Sequence, residues 1–292
     1  MHKIGLYLMS EKGYAVLLSL IKAIGSKNIA HVVISKDENV MKDFYEEIRS
    51  VCEKNNIPCS DRSENKMPAT KFCFTISWRW LIKAGENDII IFHDSLLPKY
   101  RGFAPLVNML VNGEKYIGVT ALFAEEQYDT GKIIAQIKTP VKYPVKIKDA
   151  IEKITPLYSN LAIQIAKKII ANKKLNSKKQ NERNASYSLW RDEEDYKINW
   201  HQNSEQVERF INAVGFPYKG ASASDSFQLF RITDAEVIKE IKVENRTPGK
   251  IIFIDNGKPV VVCGKGLIRI NAMTDSSGNN VLPFKKIRTR FV

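Results

Sequence analysis

Residues 89–95 read Ile-Ile-Ile-Phe-His-Asp-Ser, a short apolar run that ends in an ionisable side chain. Such a run, rich in β-branched residues and too short for a buried helix, is typical of a strand that is buried on both faces. Similar strand-like runs precede it at 3–9, 30–34 and 72–76, and residues 12–24 and 38–54 carry apolar side chains at helical spacing. Strands that alternate with helices predict an α/β domain, with a Rossmann-like parallel sheet covered by helices on both faces.

The C-terminal part of the sequence has a different pattern. A helix is predicted over 147–175 with a kink or break at Pro156, and the polar residues 176–188 are predicted to be a linker. A further helix is expected to be capped by Ser204 and to end at Gly215. Strands are then predicted at 227–232, 250–254, 259–263 and 267–271. This order predicts a smaller, mostly β domain, an OB-like barrel, with the chain divided into residues 1–185 and 186–292.

The bulk composition is that of a globular protein, with 44% apolar and 26% charged residues in 292. No apolar run is long enough to cross a bilayer, and the N-terminus lacks the features of a signal peptide, so we expect a cytoplasmic protein without a membrane partner. The four cysteines form no C-x-x-C pair and have no histidine at metal-ligand spacing, so no metal site is expected. The net charge of +13 suits nucleic acid, an anionic small substrate or a plain solvated surface.

The region after the first strand lacks a dinucleotide-binding motif. Ser10-Glu11-Lys12-Gly13 does not fit G-x-G-x-x-G, so we predict neither NAD nor FAD despite the type of sheet. One of the four histidines stands out, because His93 directly follows a strand, and open α/β sheets bind ligands at the carboxyl ends of their strands. The residues after it include Lys99 and Arg101, which we expect to form an exposed basic loop for an anionic substrate.

The loop after the strand has the pattern of a known family. His93-x-Ser95-Leu96-Leu97-Pro98-x-x-Arg101-Gly102-x-Ala104-Pro105, followed by Gly118-Val119-Thr120 and Asp129-Thr130-Gly131, resembles the signatures of formyltransferases that use 10-formyltetrahydrofolate. Asn199-Trp200, Pro217-Tyr218 and Pro248-Gly249 resemble the C-terminal domain of methionyl-tRNA and amino-sugar formyltransferases. The resemblance implies that residues 1–185 form the catalytic domain and residues 186–292 the OB-like domain.

The resemblance also implies roles for individual residues. His93 would be the general acid and base, and Asp129 would orient it and stabilise its charge, as a carboxylate does for the imidazolium of other acyl transfers. The substrate-binding residues would be Ser95, Leu97, Pro98, Lys99, Tyr100, Arg101 and Gly102. The folate pocket would be lined by Ser77, Trp78, Arg79, Trp80, Glu125 and Tyr128.

One position departs from the family pattern. The family has Asn two residues before the histidine, where its amide helps to bind the oxyanion, and this sequence has Ile91. Loss of one such donor costs about 3–4 kcal/mol of transition-state stabilisation. Protonated His93 would then hold the oxyanion alone, another donor such as Asn108 or Asn112 would replace the amide, or the protein would be a slow or inactive binder of folate or nucleotide sugar.

The identity of the amine is less constrained. The runs 3–14 and 76–82 resemble bacterial sugar N-formyltransferases, above all those acting on UDP-linked 4-amino-4,6-dideoxy hexoses in pseudaminic-acid or other surface-glycan pathways. The tRNA enzymes of the family have a basic insertion after the second strand, and Ser35–Asp43 shows none, which argues against nucleic acid. Methionyl-tRNA, an aminoacyl-carrier substrate and hydrolysis of the folate stay open as alternatives. A homodimer through the C-terminal region is a further expectation.

Overall fold

The computed structural model describes residues 2–38, 40–66, 68–82 and 88–292. Its N-terminal unit is built on one seven-stranded sheet. The strands are β1 (Ile4–Leu8), β2 (Ile29–Ile34), β3 (Cys59–Asp61), β4 (Phe72–Ile76), β5 (Asp88–His93), β7 (Tyr116–Phe123) and β8 (Ile133–Pro140), while β6 (Arg101–Gly102) lies outside it. Their order is β3-β2-β1-β4-β5-β7-β8. The first five strands of that order are parallel, as predicted, whereas β7 and β8 run antiparallel to their neighbours.

The helices cover one face of this sheet. They are α1 (Ser10–Ile24), α2 (Tyr45–Lys54), α3 (Pro105–Val111) and α4 (Ile147–Ile170). Their buried side chains form one core with the strand residues Leu6, Leu8, Ile90 and Phe92. Side chains of alternate strand positions point to the opposite face. There a small separate cluster of Tyr7, Val33, Cys73 and Ile89 is joined by Trp78, Ile82, Ile91 and Ala124. The prediction of helices on both faces was therefore wrong, and this apolar face has no helix among the described residues.

Three predicted helix features differ in the structure. Helix α2 begins at Tyr45 rather than 38, because Met41 donates its backbone N–H to the carbonyl of Pro217, 2.9 Å away, instead of entering a helix. Helix α4 continues through Pro156 without a break and ends at Ile170. The sequence also suggests a helical turn around 78–84; residues 78–82 are not helical, and residues 83 and 84 lie outside the described residues.

The C-terminal unit is a closed antiparallel β structure beside one helix. Helix α5 (Ser204–Ala213) is capped by Asn203, whose side chain accepts the N–H of Gln206 at 2.8 Å, so Ser204 is not the cap that the sequence suggested. The strands of its sheet are β10 (Ala221–Ser224), β11 (Leu229–Ile238), β12 (Ile251–Asp255), β13 (Lys258–Val262) and β14 (Leu267–Asp275). They are arranged in the order β10-β11-β14-β13-β12.

Residues 289–292 join the two edges of that sheet. Val292 exchanges backbone hydrogen bonds of 2.9 and 3.0 Å with Ser224 of β10, and Thr289 accepts from the N–H of Ile251 of β12 at 3.0 Å. The five strands and this segment thus form a barrel, as predicted. The two units share one apolar core, to which α5 contributes Val207 and Ile211. None of the helices in the described ranges has the length and apolar character needed to span a bilayer.

Candidate active site

His93 ends β5, and both of its ring nitrogens have fixed neighbours. Nε2 lies 2.7 Å from the backbone carbonyl of Tyr100, and Nδ1 lies 3.5 Å from Oδ2 of Asp129. A carbonyl can only accept, so Nε2 carries the hydrogen and the neutral ring has its lone pair on Nδ1. The atom that can take up a proton therefore faces the carboxylate that would stabilise the resulting imidazolium. The structure brings His93 and Asp129 together although 36 positions separate them in the sequence.

Asp129 is held by the loop that follows His93. Its Oδ2 accepts the backbone N–H of Gly102 at 2.8 Å, and the residue has a left-handed backbone with φ of 59°. Gly131 is required two positions later, because a Cβ there would lie 1.7 Å from the carbonyl oxygen of Phe123. This explains locally why the motif Asp-Thr-Gly is needed to turn the chain back towards His93. The carboxylate is buried, so its charge acts on His93 with little screening by water.

Strained backbone is concentrated around this pair. Tyr100, Ala104 and Ser77 also have positive φ, of 61°, 45° and 56°. Such conformations cost L-residues roughly 1–2 kcal/mol each, and they cluster at functional sites because the surrounding contacts impose them. At Tyr100 the unusual conformation belongs to the residue whose carbonyl meets His93. The strain is thus located where the tautomer of the histidine is set.

Asp94 is a structural carboxylate, in contrast to Asp129. It accepts hydrogen bonds from Lys12 of α1, at 2.5 Å, and from the hydroxyl of Tyr158 of α4. Burial disfavours its ionised form, but the Lys12 ammonium and these hydrogen bonds together hold the pKa of the Asp94 carboxyl below its ordinary value. Asp94 therefore ties the loop to the helical face and leaves Asp129 as the partner of His93.

The predicted substrate-binding loop, residues 95–102, is partly buried. Ser95 and Leu97 are buried, and the hydroxyl of Ser95 donates to the carbonyl of Lys99 at 2.7 Å. Pro98 and Gly102 are half-buried, whereas the side chain of Lys99 is exposed. These residues shape the loop, and their contact with a substrate stays a prediction.

Arg101 corrects the expectation of an exposed basic loop. It is 0% exposed, and its guanidinium donates to both carboxylate oxygens of Glu182, at 2.7 and 2.8 Å. A buried guanidinium needs such a counter-charge, and Glu182 raises the pKa of Arg101 further above its ordinary value. Arg101 therefore fastens the loop to residues 180–187 and is not free to bind an anionic substrate.

The segment 178–188, part of the stretch expected to be a solvated linker, contacts the loop that follows His93 and the loop that contains Asp129. Gln180 donates its amide to the carbonyls of Asp129 and Gly131, at 2.6 and 2.9 Å, and accepts from Arg101 at 2.9 Å. Strand β9 (Tyr187–Ser188) pairs with Arg101–Gly102. The contacts of the first unit thus extend three residues beyond the predicted boundary at 185. No periodic signal marks this segment, because its partners are distant in sequence.

Replacing Gln180 with leucine should lower kcat about 100-fold, since displacement of a catalytic group by about 1 Å can cost that much. The leucine cannot donate to the carbonyls of Asp129 and Gly131 or accept from the side chain of Arg101. Steady-state kinetics of this variant and of Lys179→Leu, an exposed neighbour, provide the measurement. A rate for Gln180→Leu within threefold of the Lys179→Leu control would contradict the positioning role.

The predicted folate residues lie along the helix-free face and its edge. Trp78 packs edge-on against Tyr7 and against Trp80, with ring centroids 5.1 Å apart in each case. Burial, followed by the neighbouring Cys73, raises the pKa of Tyr7 to about 12. The hydroxyl of Tyr7 and Nε1 of Trp78 are both buried without a hydrogen-bond partner in the described part of the chain. Buried polar groups are almost always paired, so these two suggest a ligand that completes them.

The other predicted folate residues border this face. Arg79 forms an ion pair of 2.6 Å with Asp37, Ser77 accepts from the hydroxyl of Ser10 at 2.9 Å, and Trp80 lies beneath the guanidinium of Arg62. Glu125 and Tyr128 are exposed on the loop that leads to Asp129. Ile91 lies between these groups, half-buried and packed with Leu97. The structure therefore places an apolar cluster on this face, joined by Ile91 two positions before His93, and its use by folate stays a prediction.

Neither asparagine considered as a replacement for the missing amide contacts His93. The side-chain oxygen of Asn108 accepts from Arg191 at 3.0 Å, and the amide of Asn112 donates to the hydroxyl of Tyr100 at 3.1 Å. Both side chains are thus held elsewhere. Within the described residues no group of three or more His, Cys, Asp or Glu is placed to bind a metal ion.

Comparison with known proteins agrees with the geometry. Residues 70–165 match the formyl transferase domain family, and residues 191–284 match the formyl transferase C-terminal domain family. A methionyl-tRNA formyltransferase of Marinobacter nauticus is 27% identical over 180 residues, which cover 62% of this chain. The matched region spans only 57% of the length of that relative.

Two solved structures share the fold. An N-formyltransferase of Helicobacter canadensis, in complex with folinic acid and dTDP-3-aminofucose, superposes with a TM-score of 0.69 at 19% identity, over 92% of this chain and 99% of its own. A 4-N formyltransferase of Francisella tularensis gives a TM-score of 0.59 at 20% identity, over 76% and 91%. At such identities the likeness shows the architecture alone. The two domain matches, which together cover about two thirds of the chain, show that it belongs to the formyltransferase family.

Proposed function

We propose that this protein transfers the formyl group of 10-formyltetrahydrofolate to the amino group of a UDP-linked 4-amino-4,6-dideoxy sugar. The observation that carries the proposal is the His93 ring, whose Nε2 is bound to a backbone carbonyl and whose Nδ1 faces a buried carboxylate. An imidazole fixed in this way is a general base with a prepared counter-charge. The apolar cluster on the helix-free face, with the unpaired groups of Tyr7 and Trp78, supports a planar, polar-edged ligand such as a pterin.

His93 and Asp129 have separate roles in the proposed formyl transfer. When bound, 10-formyltetrahydrofolate supplies an electrophilic formyl carbon, to which the amine of the acceptor forms the new C–N bond. Nδ1 of His93 accepts the proton that the amine loses and returns it to the departing nitrogen of the carrier, so no net proton is consumed. Asp129 stabilises the imidazolium between these two steps. With Ile91 in place of an amide, the imidazolium is also the cation closest to the formyl oxygen as that oxygen becomes negative.

Two observations favour a sugar over a tRNA acceptor. The connection from β2 to α2 is short, and residues 35–44 hold two lysines against three acidic residues, which is a poor surface for phosphate contacts. The Helicobacter canadensis structure, a complex with a nucleotide-linked amino sugar, has nearly the same extent as this chain. The methionyl-tRNA relatives are the reason to include that substrate in the test.

The test incubates purified protein and 10-formyltetrahydrofolate with UDP- and dTDP-linked 3-amino and 4-amino sugars, and with initiator methionyl-tRNA. We expect tetrahydrofolate release and a formylated product with the UDP-linked 4-amino sugar, and no release with His93→Ala. Release without any amine would identify a hydrolase. Formylation of the tRNA alone would overturn the sugar assignment, and the absence of release with every acceptor would indicate a binding protein.

A further inference from the structure

Arg191 is a partly buried cation that forms no ion pair with any of the described residues. Its Nη1 donates to the backbone carbonyl of Asp195 and its Nη2 to the side-chain oxygen of Asn108, each at 3.0 Å, and both acceptors are neutral. Its Nε is buried and has no hydrogen-bond partner, the one such guanidinium nitrogen in the described ranges. Burial lowers the pKa of Arg191, with only partial opposition from the Asp195 carboxylate beyond ion-pair distance. The fold thus keeps a desolvated positive charge that it does not neutralise.

Four other buried or half-buried guanidiniums are paired with carboxylates. Arg101, Arg231, Arg246 and Arg269 have side chains no more than 27% exposed, and each forms an ion pair with a glutamate. An uncompensated buried charge is costly, and an unpaired buried donor adds to the cost. Groups that are unfavourable for stability are expected where a ligand completes them. The contrast points to an anionic ligand for Arg191.

Two further arginines lie near Tyr196, as Arg191 does. The phenol of Tyr196 has its pKa raised by burial, and Arg191, Arg231 and Arg79 all act on it as neighbouring positive charges. These three arginines come from different parts of the fold, namely the segment between the units, strand β11 and the loop after β4. Arg79 is paired with Asp37 and Arg231 with Glu193, so Arg191 supplies the unneutralised charge.

Arg191 lies within reach of the catalytic pair. Ser188 accepts the backbone N–H of Phe103 at 3.0 Å and pairs with Gly102, which in turn holds Asp129. Three residues of extended chain from Ser188 to Arg191 span at most about 10 Å. In a nucleotide-linked amino sugar the diphosphate is separated from the amine by one hexose ring. Arg191 is thus at most about 10 Å from Ser188, the residue that contacts the loop holding Asp129, and a cation there is suited to that anion.

We infer that Arg191 binds the diphosphate of the acceptor, so that the amine of the attached sugar reaches Nδ1 of His93. The inference rests on the proposed nucleotide-sugar substrate. Guanidinium suits this task because its planar set of donors matches phosphate oxygens, and each Nη of Arg191 makes one hydrogen bond to the described residues although it carries two hydrogens. Trp190, the preceding residue, exposes 61% of its surface and offers a ring for the base.

The test measures the affinity of UDP and dTDP by titration calorimetry for the wild type and Arg191→Met. Methionine keeps much of the apolar volume and removes the charge, so we expect Kd to rise tenfold or more. Kd for folinic acid and the thermal midpoint should be retained, or the midpoint raised, because an uncompensated charge is gone. Arg191→Lys should give an intermediate Kd.

Arg246→Met is the matched control. Arg246 pairs with Glu240 and donates to the carbonyls of Cys263 and Gly266, so its loss should lower the thermal midpoint and leave nucleotide affinity unchanged. Equal nucleotide affinity for Arg191→Met and the wild type would overturn the role of Arg191 and leave the proposed function standing. Failure of the wild type to bind either nucleotide would overturn both.

Discussion

Replacing His93 with alanine lowers kcat by about 1000-fold or more and leaves the affinity for folinic acid within a few-fold of the wild type. General acid–base catalysis by a positioned side chain contributes roughly 10²–10⁴-fold. The loss should lie in the upper part of that range because Ile91 offers no amide, so the same imidazole serves as base and as cation for the oxyanion. Tetrahydrofolate release with a saturating acceptor provides the rate, and calorimetry provides the affinity.

The control for this prediction is His201→Ala, since His201 is exposed and its ring makes no hydrogen bond to the described residues. It should keep a normal rate. A rate for His93→Ala within tenfold of this control would mean that another group accepts the amine proton.

Replacing Asp129 with asparagine lowers kcat by about 10²–10⁴-fold, a loss comparable with that expected for a carboxylate that orients a catalytic histidine. Asparagine can still accept the N–H of Gly102, so the loop keeps its anchor. The amide oxygen then occupies the position of Oδ2, which is also the atom 3.5 Å from Nδ1 of His93. The variant therefore removes the charge that stabilises imidazolium and keeps the geometry of the pair.

Two companion measurements separate chemistry from folding in this variant. The thermal midpoint of Asp129→Asn should remain close to that of the wild type, and Asp129→Glu, which keeps the charge but shifts it by one methylene, should recover part of the rate. If Asp129→Asn turned over as fast as the wild type, His93 would use Nε2 or a different partner, and the proton route described above would be incorrect.

The position of His93 at a strand end could be predicted because strand periodicity is local. The direction of the next strand in the sheet, β7, could not be predicted in this way. Tyr116–Phe123 is a buried apolar run with the same pattern as a parallel strand, and its antiparallel orientation depends on pairing with β5. The helix-free face of the sheet does have a signal in the sequence. The chain between β3 and β4 and the chain between β4 and β5 contain no amphipathic helical stretch that could cover it.

The supporting residues were the hardest to predict. Arginine is rarely fully buried without a partner, and the partner of Arg101, Glu182, is 81 positions away in a stretch of polar composition. Gln180 likewise gains its role only when Asp129 and Arg101 are brought to it. The family resemblance identified His93 and Asp129, whereas the residues that hold them in place became visible only in three dimensions.

The segment 178–188 also limits how this protein can be recombined with its relatives. It lies between the two matched domain ranges, 70–165 and 191–284. From the sequence matches alone, a chimera joined in this gap would be expected to keep both domains intact. Yet a joint near 175 would combine the His93 and Asp129 loops of one parent with the Gln180 and Glu182 of another. A chimera made to exchange acceptor specificity should therefore have its junction after Ser188. The loops of His93 and Asp129 and the segment 178–188 that contacts them then come from the same parent.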